Sequence, residues 1–109
     1  MIRMLPVILD ETSFCLYEDE KLLSKCVYDP KTGEIFRIDS FDPAAASLNT
    51  ALLKVVMSSL EYAGVAEAWS VNPDLFEVLK TLRFQTSEDR MAVSLKGYFD
   101  HACECRTEV

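Results

Sequence analysis

The side chains in this sequence with the greatest capacity for chemistry are one histidine and four cysteines. His101, Cys103 and Cys105 fall within one short stretch near the end of the chain, a composition that suggests a metal site. A structural zinc site needs four ligands and commonly uses C-x2–4-C spacing, so Cys103 and Cys105 are too close together. We therefore predict that no metal binds here and that residues 100–109 form a flexible tail.

The other two cysteines, Cys15 and Cys26, could act as nucleophiles only if the fold brought one of them to His101 and a third group oriented the pair. Both lie in apolar segments, where a cysteine usually behaves as a small hydrophobic residue. The spacing of the four cysteines also differs from the disulfide framework of a small secreted protein. We predict reduced thiols, with Cys15 and Cys26 in the core.

The charge balance excludes two classes of partner. The 109 residues include 11 basic and 18 acidic side chains, a net charge of −7 at pH 7, without a basic patch or arm. Nucleic acids and anionic membrane surfaces therefore lack their usual electrostatic attraction. The N-terminal apolar run is too short to span a membrane, and Asp10 and Glu11 follow it instead of a signal-peptide cleavage site. We predict one cytoplasmic domain with a substantial core, since half of the residues are hydrophobic.

Residues 13–41 have the pattern of a three-stranded antiparallel meander. Apolar-rich runs at 13–18, 22–28 and 34–41 are separated by Asp19-Glu20 and by the turn sequence 29–33, DPKTG. In that turn Pro30 fixes its own φ, Asp29 can accept backbone N–H groups, and Gly33 can adopt a positive φ. The cluster of acidic residues at 18–20 is interpreted as a solvated hairpin tip rather than a cation site.

After residue 47 the apolar period changes to that of a helix. Ser47 is predicted as the N-cap and Gly64 as the C′ residue. A buried strand follows at 65–71, and Asn72 opens a second helix that runs to about Leu82. A last strand is predicted at 91–99, so the order is β-β-β-α-β-α-β, a mixed α/β sheet, mostly antiparallel, with a central parallel βαβ crossover.

A ligand in such a sheet binds beyond the carboxyl ends of the parallel strands. Those ends fall near residues 41–49 and 71–74. Trp69 lies on the strand beside this region, where it could contact a ligand, although a core position is the expected one.

The run GEIFRIDSFDPAAASLNTALLKVVMSSLEYAGVAEAWSVNPDLFEVLKTLRF resembles the core of the GCN5-related N-acetyltransferase (GNAT) superfamily. The resemblance lies in the order and spacing of its parts. These are a strand, a pyrophosphate loop that leads into a long helix, a second strand, a helix beginning at Asn, and a final short segment similar to the motif "lGF". It covers roughly residues 13–99, and it implies an acyl-CoA N-acyltransferase-like fold. Superfamily members usually carry one strand and two helices before the meander, so we expect residues 1–109 to form a single truncated domain.

The resemblance implies acetyl-CoA as the cofactor, bound at the pyrophosphate loop and between two splayed strands. The superfamily's Arg/Gln-x-x-Gly-x-Gly/Ala signature falls with its first position on Ala44 and its two glycines on Ser47 and Asn49. No Lys or Arg lies between Arg37 and Lys54 to offset the diphosphate charge. The predicted cofactor-binding residues are Ile38, Ser40, Phe41, Ser47, Leu48, Asn49, Thr50 and Asn72.

The catalytic landmarks of the superfamily are also altered. The tyrosine that often protonates the leaving thiolate is matched by Leu79, with Phe76 one turn earlier, and the glycine of the "lGF" close is Arg83. The resemblance leaves Glu34 and Asp39 as candidate catalytic carboxylates, with Asp42 beside them; each could equally be an outward-facing strand residue. We therefore expect a weakly active or inactive N-acetyltransferase-like core. The alternative is a non-catalytic interaction module that keeps the fold and forms a homo-oligomer, because a sheet with few covering helices leaves apolar surface and a strand edge.

Overall fold

A computed structural model describes residues 2–8, 12–96 and 98 of the chain. A four-stranded antiparallel sheet has the order β1-β2-β3-β4, and a three-stranded antiparallel sheet has the order β5-β7-β6. The strands are β1 (Ile2–Ile8), β2 (Thr12–Glu18), β3 (Lys21–Tyr28), β4 (Ile35–Ser40), β5 (Glu67–Ser70), β6 (Gln85–Ser87) and β7 (Arg90–Ser94). The α-helices are α1 (Asn49–Tyr62) and α2 (Phe76–Thr81), and 3-10 helices precede them at Pro43–Leu48 and Pro73–Leu75.

The predicted mixed α/β architecture and the meander at 13–41 are confirmed, with two additional strands. β1 pairs with β2 along its whole length. β6 is short and fully exposed, so it has no apolar alternation that the sequence could have shown. The last strand ends at Ser94 rather than at residue 99, which lies outside the described residues.

The core lies between α1 and one face of the first sheet, and it continues to the second sheet and α2 through Ala68, Leu79 and Met91. α1 buries its apolar side, and β2 to β4 contribute the opposite wall, where the rings of Phe14 and Tyr28 stack with centroids 6.0 Å apart. In the described part of the chain neither helix is long and apolar enough to cross a membrane. The fully buried α1 residues are Leu52, Leu53, Val56, Met57 and Leu60.

The turn before β4 is built as its sequence predicts. The Asp29 carboxylate accepts the N–H groups of Lys31 at 2.8 Å and Thr32 at 3.3 Å, and these hydrogen bonds lower the pKa of Asp29. Gly33 has a φ of +85°, a left-handed conformation that favours glycine. The turn therefore presents the Gly33 backbone to the second sheet.

The two sheets are joined at this turn. The Trp69 N–H donates to the Gly33 carbonyl at 3.0 Å, and Glu34 forms a single parallel bridge with Trp69. A Cβ added to Gly33 would overlap the carbonyl oxygen of Glu67 on β5. Gly33 is thus required both for its φ and for the close approach of the two backbones.

The start of α1 differs from the prediction. Ser47 is not the N-cap: the helical run begins at Pro43 as a 3-10 helix, and α1 follows at Asn49 with Leu48 at the cap position and no side-chain cap. Proline is favoured in the first turn of a helix, and alanine is favoured throughout a helix. Residues 43–46 therefore form a helical turn, where glycines would favour an irregular loop. The predicted C′ residue is confirmed, since Gly64 ends α1 with a φ of +88°.

The second helical segment begins and ends as its sequence indicates. Asn72 caps the 3-10 helix that leads into α2, because its side-chain oxygen accepts the Asp74 N–H at 3.0 Å. After α2, Arg83 adopts a φ of +69°, while Phe84 N–H bonds back to the Leu79 carbonyl at 3.1 Å. Arg83 therefore holds the left-handed backbone that glycine usually provides after a helix.

We expect Gly33→Ala to lower the free energy of unfolding by about 3 kcal/mol or more, because a left-handed strain is added to a backbone overlap at the joint. Gly64→Ala is the matched control: its φ is similar, but nothing lies within 4 Å of the added methyl group. The control should lose only about 1 kcal/mol. Urea denaturation followed by Trp69 fluorescence measures both, and equal losses would contradict the role of the joint.

Arg83→Gly is expected to raise the free energy of unfolding by about 0.5–1 kcal/mol, because glycine adopts this φ without steric cost. Arg83→Ala should give no such gain, since alanine keeps the Cβ. Thermal unfolding of the three proteins measures the difference. A glycine variant no more stable than the alanine variant would show that the backbone at residue 83 is not strained.

Candidate functional site

A groove opens where β4 and β5 part from each other. The two strands are neighbours only at the Glu34–Trp69 bridge, beyond which they diverge toward their carboxyl ends. The groove has a volume of about 580 Å³. Its lining comes from β4, the start of α1 and the segment from Asn72 through α2, as Arg37, Ile38, Asp39, Ala46, Asn49, Thr50, Asn72, Asp74, Leu75, Glu77, Val78 and Thr81.

A β-bulge shapes the β4 wall of the groove. Tyr28 pairs with Ile35 and Val27 pairs with Arg37, so Phe36 is an extra residue in β4 that faces no partner on β3. The bulge shifts the alternation of side chains along the strand. Ile38, opposite the buried Cys26, consequently packs against the core, whereas Arg37 and Asp39 lie on the opposite face.

Asn72 closes the groove on its opposite wall. Its Nδ2 donates to the Phe36 carbonyl at 3.0 Å, so the side chain reaches from the end of β5 to the bulge in β4. Its Oδ1 accepts the Asp74 N–H, and its own N–H donates to Ser70 Oγ at 3.1 Å. One side chain therefore both caps a helix and links the two sheets.

The groove end of α1 offers few free backbone donors. In a 3-10 helix each N–H after the first turn bonds the carbonyl three residues earlier, so the N–H groups of residues 46–48 are used inside the Pro43–Leu48 segment. The Asn49 side chain turns to the sheet, where it accepts from Ser24 Oγ at 3.1 Å and donates to Ser40 Oγ at 3.4 Å.

The groove lining carries more negative than positive charge. Arg37 is the one cation among the lining residues, and its Nε lies 3.0 Å from the Asp39 carboxylate. Asp74 and Glu77 add two further carboxylates on the opposite wall. An anionic ligand would therefore meet net repulsion in the groove.

The architecture is similar to that of known N-acetyltransferases. The ribosomal-protein-S18-alanine N-acetyltransferase from Escherichia coli superposes with a TM-score of 0.62 at 21% identity, over 76% of this chain and 68% of that one. The chain has a GNAT-like fold. A mutant of the toxin AtaT, bound to the C-terminus of its antitoxin AtaR, superposes with a TM-score of 0.54 at 15% identity, over 82% of this chain and 69% of the toxin.

The likeness lies in structure rather than in sequence. No protein-family model matches the sequence, and no curated protein matches it either. At these identities the shared fold is established by the superposition, and the GNAT resemblance of the element order is thereby confirmed.

The GNAT-like groove brings together half of the residues predicted to bind a cofactor. Ile38, Asn49, Thr50 and Asn72 line it, together with the candidate carboxylate Asp39. Four other predicted residues lie outside the lining: Ser40, Phe41, Ser47 and Leu48, of which Phe41 is exposed at 57%. Glu34 also lies outside it, beside Trp69 at the joint.

The lining residues on the α2 side were not among the predicted site residues. Asp74, Glu77, Val78 and Thr81 follow the three- and four-residue spacing that places side chains on one face of a helix. That periodicity after the Asn72 cap was the available signal. Arg37 was also missed, because the bulge that turns its side chain outward has no sequence signature.

Trp69 stabilises the joint instead of lining the groove. Its indole N–H donates to the Thr32 carbonyl at 3.1 Å, and the Arg90 guanidinium lies 5.0 Å from the ring centroid. Arg90 in turn bonds Glu67 at 3.1 Å. The ring is half-buried and fixes the narrow end of the cleft.

The groove of this GNAT-like fold lacks a tyrosine among its lining residues. Leu79 and Phe76, at the positions suggested for a proton donor, are respectively fully and partly buried apolar residues. Among the described tyrosines, Tyr28 hydrogen-bonds Ser59 and Tyr98 donates to the Leu82 carbonyl at 2.9 Å, and burial raises the pKa of both hydroxyls. Neither lies in the groove.

The described cysteines are core residues, as predicted for the free thiols. Cys15 and Cys26 are buried, and they are not paired with each other. Burial, with a smaller contribution from Asp39, raises the pKa of Cys26 to about 12. Within residues 2–8, 12–96 and 98 no group of His, Cys, Asp or Glu could hold a metal ion; the 101–105 motif and the predicted 100–109 tail lie outside them.

The raised pKa of Cys26 predicts an alkaline loss of stability. The thiol is neutral in the folded protein up to about pH 12 but ionises near its ordinary pKa of 9.0 once unfolded. Stability is therefore full below pH 9 and falls between pH 9 and 12. Cys26→Ala should reduce the slope of unfolding free energy against pH in this window, measured by urea denaturation. An unchanged slope would contradict the raised pKa of Cys26. A decrease in the free energy of unfolding that is the same at every pH would reflect only the loss of side-chain packing.

Proposed function

We propose that this protein is an acetyltransferase-like protein whose groove admits the uncharged pantetheine part of an acyl-CoA but repels its diphosphate, so that it is inactive or weakly active as an N-acetyltransferase. The charge of the groove carries this proposal. One arginine, already paired with Asp39, stands against Asp39, Asp74 and Glu77.

The start of α1 supports the same conclusion. A diphosphate is usually held by free backbone N–H groups at a helix N-terminus. Here those groups belong to a 3-10 helix, and the Asn49 amide is engaged with Ser24 and Ser40. Helix-dipole attraction alone contributes about 0.3–1 kcal/mol at an exposed site, too little for tight binding of a dianion beside three carboxylates.

The pantetheine arm makes different demands. It is uncharged and amide-bearing, and it needs an open cleft with backbone polar groups at its edge. The groove between β4 and the segment from Asn72 through α2 provides the cleft, and the bulge at Phe36 leaves backbone groups of β4 outside the ladder with β3. The absence of a tyrosine from the groove lining supports low acyltransfer activity even when this arm is bound.

In an NMR titration of the labelled protein we expect pantetheine to bind weakly and acetyl-CoA to bind more weakly still, because only acetyl-CoA carries the repelled diphosphate. Replacing Asp74→Asn together with Glu77→Lys should tighten acetyl-CoA by about tenfold, because removing carboxylates and adding a cation lowers the repulsion. Pantetheine affinity should stay constant. In the unchanged protein, raising the salt concentration should strengthen acetyl-CoA binding, since salt screens repulsion.

The matched control is Asp19→Asn with Glu20→Lys, which makes the same change of charge at the β2–β3 hairpin tip, outside the groove lining. It should leave both affinities within about twofold. Acetyl-CoA binding that is tight in the unchanged protein, and weakened by salt, would overturn the proposal. Undetectable pantetheine binding at millimolar concentration would also overturn it.

A further inference from the structure

We propose that the Asn72 side chain is an internal latch that occupies the ligand position in the cleft: its carboxamide takes the backbone acceptor of the β4 bulge that the amide of an entering chain would otherwise use. The ligand class is an extended, uncharged amide chain, and this inference rests on the proposed function of the groove.

The bulge creates the acceptor. Because Phe36 is the extra residue of β4, its carbonyl is not required by the regular ladder with β3. The Phe36 carbonyl is therefore open to a hydrogen-bond donor from outside the β3–β4 ladder. Asn72 supplies one at 3.0 Å from the far side of the cleft, through a primary amide that is chemically equivalent to a ligand amide.

The latch can be released without unfolding the segment that carries it. The two other hydrogen bonds of Asn72, from the Asp74 N–H to Oδ1 and from its own N–H to Ser70 Oγ, lie within one chain segment. The bond from the Asn72 backbone N–H to Ser70 Oγ is independent of the side chain and persists when Nδ2 leaves the Phe36 carbonyl, whereas Oδ1 turns with Nδ2 because both belong to one planar carboxamide. The bond to Phe36 is the one that joins the Asn72 segment to β4, so breaking it frees the Phe36 carbonyl as an acceptor beside the groove.

Asn72→Ser separates the two roles. Serine is a good N-cap for the Asp74 N–H, and it adds no charge, but its side chain is too short to span the cleft. We expect pantetheine to bind this variant about fivefold more tightly, because the ligand no longer displaces a hydrogen bond whose net contribution is about 1 kcal/mol. Gln85→Ser is the control: it shortens an exposed amide side chain on β6, outside the groove lining, and it should leave pantetheine affinity within about twofold.

A ligand-free measurement keeps the latch distinguishable from the proposed function. The carbonyl 13C resonance of Phe36 should move when Asn72→Ser removes its donor, and it should move little in Gln85→Ser. An unmoved Phe36 resonance, or pantetheine affinity equal to or weaker than that of the unchanged protein in a folded Asn72→Ser variant, overturns the latch. If the resonance moves but no variant binds pantetheine, the proposed function fails and the latch, as a ligand-displaced contact, fails with it.

Discussion

The contact between the Gly33 turn and β5 is the constraint on which the rest of the structure depends. The Trp69 N–H bonds the Gly33 carbonyl, the Trp69 indole bonds the Thr32 carbonyl, and no space remains for a side chain at Gly33. This is the one place where the strands of the two described sheets bridge. If the Gly33 turn lay farther from β5, the two sheets would be separate. If β4 and β5 paired over more residues, no groove would open between them.

The groove is therefore a product of limited pairing. β4 and β5 meet at one residue pair and then diverge. Beyond that pair, the carbonyl of the bulge residue Phe36 accepts a hydrogen bond from the Asn72 side chain instead of from a backbone N–H of β5. The GNAT-like fold accounts for this geometry, whereas the charges of the lining residues determine which ligands the groove attracts or repels. Asp39, Asp74 and Glu77 are compatible with the fold and unfavourable for a diphosphate.

Local signals explain how much of the structure could be predicted from the sequence. The turn at Asp29–Gly33, the Asn72 cap and the Gly64 terminus each depend on residues within a few positions of one another, and all are present as expected. The 3-10 helix before α1 was not predicted, because Ser47 taken alone is a favourable N-cap residue. Pro43 and the alanines after it begin the helical structure earlier in the chain.

The remaining differences come from non-local pairing. The β4 bulge is a single inserted residue that only the register with β3 defines, yet it decides that Arg37 and Asp39 lie on the face opposite the core. β6 is polar and exposed, so pairing with β7 alone makes it a strand. The α2 side of the groove had a helical spacing that could be recognised, but nothing in that spacing indicated which face β4 would meet.

The joint also has a kinetic consequence. Thr32 and Trp69 are separated by 37 residues, whereas each hairpin of the meander closes a loop of a few residues, and the entropy cost of closure grows with loop length. Contacts of high sequence separation are therefore slow to form. We therefore expect the hairpins of the meander to form before the joint, and the cleft beside the joint to assemble after them.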